Sequence, residues 1–175
     1  MPAGTKKLQD VYANRAFKTV VASAANVITF SQLQFGVGLF QGVAMILNRI
    51  EWSVPQATLL ELVAIADTLT FAVTNRDDLT YLDATNQSVY ASLNLNPIMV
   101  GAVVGIEQIK QPWISDFSGI QGGGLIIPAN PIYIAVHTAG FAAAATARAV
   151  LYFTFKTLTD AEYIELLQTI MPSNI

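Results

Sequence analysis

The stretch that decides the fold runs from 148 to 171, "RAVLYFTFKTLTDAEYIELLQTIM". Its first half alternates. Ala149, Leu151, Phe153 and Phe155 fall on one face, and Arg148, Tyr152, Thr154 and Lys156 on the other. A period of two with one apolar side is the pattern of a half-buried strand. The periodicity then changes. Thr159-Asp160-Ala161-Glu162 has the spacing of a capping box, in which Thr159 accepts from the Glu162 amide and Glu162 reaches back. Leu158 and Tyr163 are placed to close a hydrophobic staple over that start. Tyr163, Leu166, Leu167, Ile170 and Met171 recur at helical spacing, and Pro172 ends the run. The spacing predicts a last strand followed by an amphipathic helix whose apolar stripe needs something to pack against.

Alternation recurs upstream. In "TLTFAVTN", Leu69, Phe71 and Val73 lie on one face and Thr70, Ala72 and Thr74 on the other, as in a half-buried strand. "GVAMILNRIEW" is apolar on both faces at first, then sets Arg49 and Glu51 against Ile50 and Trp52. "PIMVGAVVGIE" reads as one apolar run with Gly101 and Gly105 on its second face, "PIYIAVH" as another strand, and "RAFKTVV" and "NVITF" as shorter ones. Turn-forming clusters separate them: "NRDD", "ATNQS", "LNLNP", "SGIQGGG", "PANP" and "TAG". Eight to ten short strands punctuated in this way imply an all-β sandwich or closed barrel. One segment interrupts the pattern. "SVPQATLLELVAIADT" sets Pro55 ahead of Leu59, Leu60, Leu62, Val63 and Ile65, which suits a short inserted helix, although the spacing also fits a buried strand. No interval repeats and no composition shift marks a second domain. The expected organisation is a short arm over 1–14, a sandwich over 15–158, and a C-terminal helix and tail over 159–175.

A chain of 175 residues can bury a real core in one domain. Its charged fraction is 12% with 53% hydrophobic residues, whereas an average soluble domain carries roughly 25% charged residues. Either a membrane or partner subunits must cover such a surface. The longest uncharged run, between Lys18 and Arg49, is dotted with Ser23, Asn26, Ser31, Gln32, Gln34 and Gln41. Its best apolar stretch, 35–47, carries three glycines and falls short of the roughly 20 residues of a span. Burial between subunits is the better account, because interface cores are depleted of charge. The opening "MPAGTKKLQD" has neither the apolar core nor the cleavage site of a signal peptide, so none is expected. The absence of cysteine excludes disulfides, and a net charge of -3 argues against a bulk basic surface.

Chemistry is scarce. His137 is the single histidine, no G-x-S-x-G occurs, and a serine nucleophile would have no second imidazole to call on. No enzymatic activity, cofactor or metal is expected. Asn75, Asp77, Asp78 and Asp83 supply oxygen ligands but match no EF-hand loop, so a solvated acidic turn is the plainer reading. Lys6, Lys7, Arg15 and Lys18 form the most basic segment, a candidate phosphate contact whose alternative is a solvated arm. In "QPWISDFSG", Trp113 beside Asp116 and Phe117 offers an aromatic and a carboxylate, the pairing a carbohydrate contact uses.

Two segments carry a resemblance. "ANPIYIAVHTAGFAAAATARAVLYFTFKTLTDAEYIELLQ" resembles the C-terminal hairpin and tail of small single-jelly-roll phage and metagenomic coat proteins. "ILNRIEWSVP" continuing to "ADTLTFAVT" is similar to their strand, short insertion and strand. Together the segments cover about two fifths of the chain. The resemblance implies an antiparallel jelly-roll sandwich of about eight strands with one short inserted helix and a C-terminal helix. It implies a structural capsid protein of a tailless icosahedral phage, self-assembling in the host cytoplasm into a virion shell through lateral contacts. Copies of the chain are the implied partners, with a second coat protein, nucleic acid or an internal membrane as further contacts. Tyr163, Leu166, Leu167, Ile170 and Met171 would then serve a subunit interface. One departure is the lack of a long Arg-rich arm, so the chain is not expected to condense a genome by itself. The alternative is a lectin-like or appendage-tip sandwich that binds through Trp113, Asp116 and Phe117.

Overall fold

The computed structural model describes residues 13–33, 43–100, 103–105, 111–120, 122–128, 131–162 and 164. In chain order the elements are β1 (Asn14–Val21), β2 (Thr29–Gln32), β3 (Val43–Ser53), α1 (Gln56–Leu59), β4 (Thr68–Thr74) and β5 (Val89–Leu95). They continue with β6 (Ile98–Val100), β7 (Val103–Gly105), β8 (Trp113–Asp116), β9 (Leu125–Pro128), β10 (Tyr133–Ala139) and β11 (Thr146–Thr157). One sheet has the order β1-β11-β3-β8, with β9 also pairing β3; the other has the order β2-β10-β4-β5. All these pairs are antiparallel. The chain crosses from the first sheet to the second between β1 and β2 and between β3 and β4, and back between β10 and β11. That exchange makes the fold an antiparallel β-sandwich of jelly-roll type.

The register fixes which ends of the strands meet. Val21 pairs Thr146, Ser53 pairs Arg148, Thr68 pairs Ala139, and Leu69 pairs Leu95. The connections after β1, β3, β5 and β10 therefore all leave from one end of the sandwich, here called the loop end. Asn26, at φ 59, staples it: its backbone N–H donates to Thr138 Oγ1 at 2.9 Å and its Nδ2 to the Phe141 carbonyl at 3.0 Å, while its Oδ1 accepts from Phe141 N–H at 3.0 Å. Asparagine tolerates that left-handed backbone because its short side chain can bond locally.

The core lies between the sheets. Leu69, Phe71 and Val73 of β4, Ile50 and Trp52 of β3, Ile134 and Val136 of β10, and Leu151 of β11 are all fully buried. Trp52 stacks on Phe71 with ring centroids 5.5 Å apart and planes at 22°. The alternation read in β11 holds, with Phe153 and Phe155 buried beside Leu151.

β4 departs from the half-buried expectation. Ala72 and Thr74, on its outer side, are also fully buried. The loop 75–88 folds back as a roof, closed at its base by Asn75 N–H donating to the Ser88 carbonyl at 3.1 Å. Leu82, 3% exposed, packs there with Ala72 and Ala135 in a second small core. The first sheet has no comparable roof among the described residues.

Three further differences are local. "PIMVGAVVGIE" is not one continuous strand: β6 and β7 pair with each other, Ile98 with Gly105 and Val100 with Val103. β5 replaces the turn read in "LNLNP", because pairing with β4 outweighs the poor strand propensity of Asn94. β8 and β9 lie end to end along β3, Trp113–Asp116 on Trp52–Arg49 and Leu125–Pro128 on Leu47–Ala44. They act as one strand interrupted at Asn48, whose carbonyl accepts from Phe117 N–H at 2.8 Å and whose Nδ2 donates to the Gly123 carbonyl at 2.6 Å. A Cβ at Gly124 would stand 2.6 Å from the Leu47 carbonyl oxygen, so only glycine lets the interruption rejoin β3 so closely.

The inserted helix forms as α1 over four residues behind Pro55. Buried Thr58 ties it to β11, its Oγ1 accepting from Thr146 N–H at 3.1 Å. The capping box also forms: Thr159 N–H donates to Glu162 Oε2 at 2.7 Å, and Glu162 N–H to Thr159 Oγ1 at 3.3 Å. Residues 160–162 and 164 are helical, and Leu158 is buried, while Tyr163, its expected staple partner, lies outside the described residues. The arm residues Lys6 and Lys7, and the stripe Tyr163, Leu166, Leu167, Ile170 and Met171, lie outside the described residues.

Gly140, after β10, has φ +82, and a Cβ there would fall on the carboxylate of Asp67. That carboxylate is buried and accepts from Val63 N–H at 2.9 Å and Ala64 N–H at 2.6 Å. Gly140→Ala is expected to strain the backbone and dislodge those bonds, costing about 2–4 kcal/mol in urea unfolding. A loss under about 0.5 kcal/mol would show that the loop end tolerates the shift.

Candidate assembly surfaces and a polar groove

The two outer faces of the sandwich differ. The second sheet is roofed by 75–88. The first presents large apolar side chains to solvent: Phe17 is 61% exposed, Val21 63%, Ile114 55% and Ile126 36%. The sequence positions explain this. In β1 the residues Arg15, Phe17, Thr19 and Val21 alternate with the inward Ala16 and Val20, so an apolar pair is carried on the solvent side. At the loop end Leu60, Val63 and Ile65, past α1, are exposed at 63%, 63% and 58%. Val21 lies at the loop end, where its partner Thr146 is tied to Thr58 in α1.

Hydrogen bonds brace the loop end. Glu61 Oε2 accepts from Ala142 N–H at 2.8 Å and Ala143 N–H at 3.2 Å, coupling the segment after α1 to the β10–β11 connection. A surface ordered before contact loses less freedom on association.

The strands of the first sheet also carry charge, at Arg15, Lys18, Arg49, Glu51, Asp116, Arg148 and Lys156. Arg49 pairs with Glu51 and lies 5.3 Å over the Tyr152 ring, with Arg15 5.9 Å from the same ring. Asp116 is exposed, and hydrogen bonds from Ser118 hold its carboxyl below the usual carboxylate range.

The expected site residues separate. Arg15 is exposed on the outer face of β1, whereas Lys18, three positions on, turns to the other side and is half-buried. Trp113 and Phe117 pack against the core, Trp113 with its ring centroid 6.1 Å from Phe71, while Asp116 points out. The three do not form one exposed surface.

The roof creates a feature that the sequence did not signal. Between it and the second sheet lies a cavity of about 170 Å³ reached by Thr70, Asn94, His137, Ser92, Tyr81 and Asp83. Thr80 and Tyr81 separate it from an adjoining open cleft of about 460 Å³ beside Arg76 and Asp78. Arg76 is exposed and forked onto Asp78, at 2.8 and 2.6 Å. Among the described residues no group of three or more His, Cys, Asp or Glu could hold a metal ion, and no helix is long and apolar enough to cross a membrane.

No protein-family model and no curated protein matches the sequence. Solved structures do match the fold. Merkel cell polyomavirus VP1 in complex with GD1a oligosaccharide aligns with a TM-score of 0.52 at 6% identity, over 86% of this chain and 97% of that one. The unassembled VP1 pentamer of the same virus aligns with a TM-score of 0.52 at 7% identity, over 88% and 100%. VP1 in complex with 3'-sialyllactosamine gives 0.53 at 6% identity, over 89% and 100%. At such identities the likeness is one of fold, and it agrees with the jelly roll derived from the strand order.

Proposed function

We propose that the chain is a structural capsid protein, a subunit that associates with copies of itself into the closed shell of a virion. The observation that carries this reading is the unequal treatment of the two faces. The loop 75–88 covers part of one sheet, whereas Phe17, Val21, Ile114 and Ile126 are exposed on the other and Leu60, Val63 and Ile65 are exposed at the loop end. Monomeric proteins rarely leave a large apolar patch uncovered. Repeated contacts in a closed assembly would cover it, and apolar burial at about 25 cal/mol per Å² would drive them.

The fold shared with VP1, which includes an unassembled pentamer, supports the same reading. The tailless-phage source, an internal membrane and a second coat protein rest on the sequence resemblance alone. The stripe Tyr163, Leu166, Leu167, Ile170 and Met171 would pack on the sandwich rim or on a neighbouring copy, and Lys6, Lys7, Arg15 and Lys18 would be the candidate contacts to packaged nucleic acid. The test is the mass of the purified chain. Megadalton particles in light scattering and negative-stain images are expected, and a chain that stays monomeric at high concentration and moderate salt overturns the proposal.

A further inference from the structure

The cavity under the roof has a floor and a wall that the fold assembles from distant segments. His137 of β10, Thr70 of β4 and Asn94 of β5 are in register, forming one row across three strands. Two inter-strand spacings make that row about 10 Å long. Thr70 Oγ1 donates to Asn94 Oδ1 at 3.3 Å, which leaves the Asn94 amide N–H groups as donors toward the cavity. Ser92 adds a hydroxyl two residues along β5, on the same face. The wall is the roof itself, anchored by Leu82, with Tyr81 half-exposed at the rim and held by Asn86 Nδ2 donating to its carbonyl at 3.4 Å.

Two hydroxyls, an amide, an imidazole, a carboxylate and an aromatic ring converge on one small space. Drug-sized ligands need roughly 300–1,000 Å³, so about 170 Å³ suits a single ring. The donors and acceptors are mixed and closely spaced, as vicinal hydroxyls require, and the Tyr81 ring supplies an apolar face for C–H groups. Burial pushes the His137 imidazole below its ordinary range, so near pH 7 it offers one donor and one acceptor. The Asp83 carboxylate is held charged by hydrogen bonds from the Thr85 hydroxyl and backbone N–H. A fixed negative charge beside the cavity disfavours an anionic ligand.

We infer that this groove binds one neutral pyranose unit of a glycan, with Tyr81 stacking on the ring and Asn94, Thr70 and His137 bonding its hydroxyls. The site is independent of the shell reading. It lies on the roofed side, opposite the bare sheet, and so stays open when that sheet is covered.

The test uses the intact protein and ligand-observed NMR, with methyl glycosides of galactose, glucose, mannose and N-acetylglucosamine, and with 3'-sialyllactose as the anionic probe. At least one neutral glycoside is expected to bind, and more tightly than the sialoside. Asn94→Ala and Tyr81→Ala, both at exposed positions, are each expected to weaken binding about tenfold. Unchanged circular dichroism and particle formation in both variants would show that fold and assembly are retained. Binding of no neutral glycoside, preference for the sialoside, or affinity unchanged in both variants overturns the inference while leaving the shell proposal standing.

Discussion

Phe17→Glu is expected to abolish particle formation while the subunit stays folded. Phe17 is 61% exposed on the outer face of the first sheet. Covering such a ring in a contact stabilises it by about 2–3 kcal/mol. A carboxylate in its place forfeits that and adds the cost of burying an unpaired charge. The loss recurs in every copy, so a shell held by many equivalent contacts fails as a whole. Leu60→Glu, at the loop end, is expected to act in the same way. Size-exclusion light scattering with circular dichroism reads both properties. Particles of normal size and salt resistance from both variants would mean that neither patch is covered, and the assembly surface would have to be sought elsewhere.

Trp52→Ala is expected to remove about 3–5 kcal/mol of stability. Trp52 is fully buried, stacks on Phe71 at 5.5 Å, and its indole N–H donates to Ser115 Oγ at 3.2 Å. It joins β3 to the facing β4 and, through Ser115, to β8. Alanine would leave a cavity between the sheets and take away both the stack and the donor. Total stabilities of roughly 5–15 kcal/mol make this a large fraction, and for a domain of this size the melting temperature should fall by about 10 °C. Trp52→Phe keeps the stack and should cost distinctly less. A loss under about 1 kcal/mol from Trp52→Ala would show that the sheets close over the gap.

Much of the fold was legible because local rules decided it. The two-residue period of 148–157 determined which side of β11 faces inward, and Leu151, Phe153 and Phe155 are buried accordingly. The capping box at Thr159 and Glu162 formed because its partners are three residues apart and need no tertiary help. β5 was less visible: its residues are mostly half-buried, so neither face stands out, and Asn94 looks like a turn former until β4 supplies a partner. β8 and β9 are each four residues long, and a broken strand leaves no sustained alternation to detect.

The candidate sites were less legible still. Trp113 is an aromatic beside a carboxylate in sequence, yet its side chain turns toward Phe71 while Asp116 turns away. The groove residues Thr70, Tyr81, Asn94 and His137 come from four separate segments, and only sheet register sets three of them in a row. The sequence by itself determined a β-sandwich poor in charge, with a capped helix beyond its last strand, because periodicity, capping and composition act over a few residues. The tertiary structure alone decided which apolar faces remain bare and which are roofed, because that depends on where the loop 75–88 lands. Leu82 finding Ala72 and Ala135 is a long-range packing event; it buries part of the outer face of the second sheet and opens the groove beside it, and no loop among the described residues does the same for the first sheet.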